Sequence, residues 1–167
     1  MSIEQEIISW DGKSSSDIAE VYNRHCNNDV LPKVLIRLSR KTELQKGTTW
    51  VLKRYLENGK KIDPYDVSEL VELVPQFEHW ESRLHFLQCL PFLAIDESQQ
   101  SAIELFLRKC IKDANKFVRA WAYNGFYVLA CQYPEHKPEV LQFFDLAMRD
   151  EAASVKARIR QIMKKGF

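Results

Sequence analysis

Apolar residues along this chain recur at intervals of three and four and almost never at two. That is the spacing of one face of an α-helix rather than the alternation of a strand. The pattern predicts a short leading helix in "SIEQEIISW", ended by the Gly- and Ser-rich "DGKSSSD", in which Ser16 or Asp17 is placed to cap the next helix. Helices follow over about 17–26, 30–41 and 42–59, with Gly59 suited to a left-handed cap. Asp63-Pro64 restarts the chain, because proline fits a first helical turn, and gives a helix over 64–74. The next runs over 79–94, with Pro91 set to kink or shorten it; 97–113, 115–132, 138–150 and 153–165 complete the series. Short connections favour antiparallel neighbours.

A second, longer period lies over the first. In "DANKFVRAWA" and "DEAASVKARI", Asp113, Val118, Arg119 and Ala120 return 37 positions later as Asp150, Val155, Lys156 and Ala157. Going back 36 positions, Arg83 stands where Arg119 does, Phe86 where Ala122 does and Leu90 where Phe126 does; Phe77 replaces the Asp and Ser82 the Val. A helix pair of this length cannot bury its apolar faces alone and needs neighbours or capping helices. Within the central helix, Val118, Ala122, Phe126 and Leu129 form one stripe, with Ala120 and Gly125 permitting close approach.

These two segments resemble the HEAT-repeat family and its armadillo-like and alkylation-repair relatives, over about residues 30–167. The resemblance implies an all-α, right-handed α-α superhelix: one α-solenoid domain over 1–167, with a cap over 1–29 and about four HEAT-like hairpins over 30–167. It also implies roles for residues. Asp113 and Asp150 would end the turn before a second helix, Val118, Ala122 and Val155 would pack inward, and Arg119 and Lys156 would bridge consecutive repeats.

Composition narrows the class. Lys plus Arg is 24 and Asp plus Glu is 23, a balance unlike that of proteins that capture nucleic acid by bulk charge. Glu4 and Glu6 stand where a secretory signal carries bases, and no later stretch approaches the roughly 20 apolar residues of a membrane span; a soluble cytoplasmic protein without membrane contact is expected. Cys26, Cys89, Cys110 and Cys131 lie in helical apolar patterns without metal spacing, so buried reduced thiols are expected.

Catalytic chemistry finds no foothold in the sequence. There is no GxSxG, the five glycines are scattered, and the adjacent His25 and Cys26 point about 100° apart on a helix. His79 and His85 flank "WESRL" at a spacing that matches no helical metal pair. No catalytic, cofactor-binding or metal-binding residues are assigned, and no cofactor is expected. Charge is organised instead. The second helices of the four pairs sum to +8 and the helices preceding the last three of them to −7, with five acids and no base from Ile62 to Glu78. Asp66, Glu69 and Glu72 make a slowly turning acidic strip, read as a solvated outer helix or a docking strip for a basic segment.

In a solenoid the second helices line the concave side. Arg83, Arg119, Trp121, Tyr123, Tyr127, Lys156, Arg158, Arg160 and Lys164 are therefore the candidate partner-binding residues, a basic and aromatic groove suited to an acidic peptide or protein segment. The competing reading has Arg119 and Lys156 consumed by bridges to Asp113 and Asp150, with the tyrosines finishing the packing. A non-enzymatic protein-interaction scaffold is the expected function. Nucleic-acid binding, by analogy with the HEAT-like DNA alkylation-repair glycosylases, is the alternative.

Overall fold

A computed structural model describes all 167 residues, and every regular element in it is helical. Ten α-helices run in order: α1 (Ile3–Ser9), α2 (Ser15–His25), α3 (Leu31–Leu38), α4 (Gln45–Glu57), α5 (Pro64–Leu73), α6 (Trp80–Cys89), α7 (Gln100–Cys110), α8 (Lys116–Gln132), α9 (Lys137–Asp150) and α10 (Ala153–Lys165). None is long and apolar enough to cross a membrane. The chain divides into two compact units, Met1–Leu93 and Ala94–Phe167. In the first unit α2, α3 and α6 all pack on α4, and α3 also meets α5. In the second, α7, α9 and α10 all pack on α8.

Local chemistry sets the helix ends. Asp11 Oδ1 accepts from the backbone N–H groups of Lys13 (2.8 Å) and Ser14 (2.9 Å), and these bonds hold its carboxyl below the usual range. The turn they form starts α2 earlier than its sequence suggests, and Ser14, not Ser16 or Asp17, is the cap, accepting from Asp17 N at 3.2 Å. Helix α4 ends in paired bonds from Gly59 N to Leu56 O and from Lys60 N to Tyr55 O, with Gly59 at φ +80°. This is the left-handed closure that favours glycine. Pro91 stops α6 at Cys89 and leaves a tight turn over Leu90–Phe92. Asn115 caps α8 through Phe117 N and Val118 N, while Asp113 Oδ1 accepts from Asn115 N at 2.8 Å. Asp113 thus fixes the residue that fixes the helix.

The expected stripe of α8 is the centre of the second unit: Val118, Ala122, Phe126 and Leu129 are all at most 2% exposed. Burial of Phe126 and Leu129 contributes about 2 kcal/mol each. The first unit is more polar inside. Ser39, Thr48, Thr49, Gln45 and His85 are all buried. Ser39 Oγ lies 2.6 Å from Thr48 Oγ1 and donates to Leu35 O, and Gln45 bridges from α4 to the turn before α6 through Gln76 O (3.1 Å) and Glu78 N (3.3 Å).

The 36-residue period has a geometric counterpart. Arg83 Nη1 donates to the carbonyls six and five residues back, Phe77 O at 3.2 Å and Glu78 O at 2.9 Å. Arg119 Nη1 donates to Asp113 O at 2.9 Å and Ala114 O at 3.2 Å, the same offsets. One further period back stands Gly47. A Cβ there would lie 2.7 Å from Ile7 Cγ2, so the missing side chain is what lets α1 lie against α4.

Two sequence expectations change. Cys89 and Cys110 are buried, but Cys26 is half-buried and Cys131 exposed, and none of the four forms a disulfide; Cys26 and Cys131 stand at the C-terminal ends of α2 and α8. The acidic strip is broken, because Asp66 is buried while Glu72 is exposed. Asp66 Oδ1 finds no hydrogen-bond donor, and burial pushes its carboxyl pKa up, Lys33 opposing and Asp63 and Glu69 reinforcing the shift.

Two outcomes are expected. Gly47→Leu introduces a good helix former, so any loss of stability reports the clash with Ile7; we expect about 2 kcal/mol, read as a lower urea midpoint with faster proteolysis ahead of Ser14. Asp66 binds its proton more tightly folded than unfolded, so its contribution to stability falls as pH rises from the unfolded value of 3.8 through the raised folded one. Asp66→Asn should therefore raise Tm at pH 7, by about 1 kcal/mol of stability, and lose that advantage below pH 3.8.

Candidate functional site

The residues singled out in the sequence fall into distinct settings. Arg83 and Arg119 are tied to the turns that precede their own helices. Arg119 also grips Glu151, at the end of α9, through Nε to both carboxylate oxygens (3.0 and 3.2 Å), and Glu151 in turn accepts from Ala152 N. Arg119 therefore joins the turn before α8 to the turn before α10, with Glu151 rather than Asp113 or Asp150 as the acid. With side chains 21% and 15% exposed, the pair is half-buried. Its charge is spent inside the unit.

The two tyrosines also serve packing. Tyr123 is 6% exposed, edge-on to Phe144 at 6.2 Å, and burial raises its phenol pKa. Tyr127 donates to Gly166 O at 2.8 Å and sits 5.2 Å from the Phe167 ring. On α10, the buried stripe is Val155, Ile159 and Ile162. At about 100° per residue, Lys156 and Arg160 lie on one flank of that stripe and Arg158 on the other, with Lys164 opposite the stripe. The four cations do not form one row.

Two of the candidate residues do come together. The Arg158 guanidinium lies over the Trp121 ring at 4.3 Å. Phe117, one turn before Trp121 on α8, is 50% exposed and carries Lys116 Nζ 5.5 Å above its ring. Two aromatic rings, each with its own cation, thus share the open side of α8. Stacking of this kind strengthens as water is excluded.

The first unit holds a site that charge and repeat patterns did not mark. Trp10 after α1, Trp50 on α4 and Trp80 at the start of α6 converge on an open recess of about 380 Å³, together with Lys46, Glu81 and His85. Trp10 is pinned by its Nε1–H, which donates to Ser14 O at 2.8 Å. Lys46 pairs with Glu81 at 3.1 Å and stands 5.9 Å above the Trp10 ring, while Lys53 stands 5.8 Å above Trp50. His85 Nδ1 is 2.9 Å from Thr49 Oγ1. Thr49 has one hydroxyl proton and gives it to Gln45 O at 2.6 Å, so Nδ1–H is the donor and Nε2 carries the lone pair. Burial, aided by Lys53 and Lys46, pushes the ring's pKa down to about 3. A neutral His85 with an acceptor edge follows at any physiological pH. The one sequence signal for this site was that Thr49 precedes His85 by the repeat length.

The two kinds of arginine separate in a stability measurement. Arg119→Ala removes a half-buried ion pair and two carbonyl bonds and leaves Glu151 without its guanidinium, which should cost about 2–3 kcal/mol in chemical denaturation. Arg160→Ala, at an exposed position, should stay within about 0.5 kcal/mol.

Comparison of the chain with protein-family models, with curated proteins and with solved structures gives no match.

Proposed function

We propose that this chain is a non-enzymatic interaction module, a short HEAT-like α-solenoid that holds an acidic segment of another protein. Three observations support the repeat architecture: the equal offsets at which Arg83 and Arg119 reach their turn carbonyls, the packing of α4 on α6, and that of α8 on α10. The binding reading rests on one more. On the open side of α8, Phe117 and Trp121 lie one turn apart with Lys116 and Arg158 over their rings. Such a face offers apolar area and unspent positive charge together, the combination that suits carboxylates interleaved with apolar side chains.

The nucleic-acid alternative lacks comparable support. A phosphate-binding surface needs several cations free to replace counterions. Here Arg24, Lys41, Lys46, Arg108 and Arg119 each pair with a carboxylate of their own unit. Nor does His85 favour an enzyme, since burial pushes its pKa down to about 3 and leaves its free nitrogen a weak base.

A panel of acidic peptides with and without aromatic residues, titrated against the full chain, tests the proposal. Binding should weaken at least tenfold in Trp121→Ala combined with Arg158→Glu while the circular dichroism spectrum is unchanged. Arg160→Glu should leave binding nearly intact. Equal affinity of the double variant and the parent protein would sink this reading.

A further inference from the structure

The tryptophan recess belongs to the first unit and the α8 face to the second, and the chemistry of the recess is more selective. We propose that it binds a neutral, planar heteroaromatic ring bearing an N–H donor, of the indole type, sandwiched by Trp10, Trp50 and Trp80 with its N–H directed to His85 Nε2.

The residues present exclude the other obvious occupants. Tryptophan walls often hold a cationic ligand, but the cation positions over Trp10 and Trp50 are taken by Lys46 and Lys53 of the same unit. A free anion would need a cation both unpaired and shielded from water; Lys46 is neutralised by Glu81 at 3.1 Å, and Lys13, the other cation of the lining, is exposed and screened by solvent. A purely apolar ligand would leave His85 Nε2 unsatisfied. That nitrogen belongs to a side chain only 8% exposed, which lines the recess and makes its single hydrogen bond through the other nitrogen, to Thr49. An acceptor that a ligand covers without offering a donor is costly to desolvate, and a ligand N–H removes that cost. Stacking area and one fixed acceptor are what remain, and a volume of about 380 Å³ accommodates a bicyclic ring.

The acceptor is preset. Thr49 fixes the tautomer, Gln45 O fixes Thr49, and Ser14 O fixes the edge of Trp10. Little ordering is left for a ligand to impose.

Four tryptophans, one of them in the second unit, make the test internal to the full chain. Titrating the ¹⁵N-labelled protein with indole should move the Nε1–H signals of Trp10, Trp50 and Trp80 and leave that of Trp121 in place. 1-Methylindole has the same ring without the donor and should bind at least tenfold more weakly, because a site built around an N–H rejects an analogue lacking it. His85→Phe should abolish that preference. Should the variant fail to fold, the two ligands alone still decide. Equal affinity for indole and 1-methylindole, or no movement of the three signals at millimolar indole, overturns the proposal. N-acetyltryptophanamide identifies the source of the ring. Binding as tight as that of indole assigns the recess to a tryptophan side chain of a partner, and binding of indole alone assigns it to a free small molecule.

Discussion

The second unit is held in register by one guanidinium. Arg119 spans from the carbonyls of Asp113 and Ala114 to the carboxylate of Glu151, so the turn before α8 and the turn before α10 are set at a fixed separation. Apolar packing of α8 against α10, through Val118, Ala122, Val155 and Ile159, supplies attraction that has no direction of its own. A planar five-donor group bonded to four acceptor oxygens at defined positions fixes the direction. The apolar stripe supplies the attraction and Arg119 supplies the alignment. Where Trp121 meets Arg158 follows from that alignment.

The first unit solves the same problem differently. Its repeat lacks an arginine at Gly47, and α1 occupies the space. Alignment of α4 with α6 passes instead through Gln45, which grips the turn before α6 by its amide, and through the Thr49–His85 contact. Both devices are buried and uncharged. They carry no desolvated ion, so their geometry is unaffected by salt, whereas the partly open Arg119–Glu151 pair is screened as ionic strength rises.

How much of this was readable in the sequence depended on whether a feature was periodic. The all-α class, the ten helices, the Gly59 closure, the proline stop at Cys89 and the buried stripe of α8 all follow from spacing or from single residues with strong backbone preferences. The equivalence of Arg83 and Arg119 was legible for the same reason. The groove was not. Whether Tyr123 faces solvent depends on Phe144 arriving from α9, and whether Lys156 and Arg158 cooperate depends on which flank of α10 each occupies; neither is a property of local sequence. The Trp10, Trp50 and Trp80 recess draws from three elements with no common period. Asp66 looked like one more surface acid because its neighbours on α5 are surface acids.

The interlocking of Thr49 with His85 bears on how such a chain can diverge. These residues stand 36 positions apart, the spacing at which Arg83 precedes Arg119, yet one is a hydroxyl and the other an imidazole. They form a matched pair, neither able to substitute for the other. Changing either alone would break the lock, which constrains the two positions to vary together.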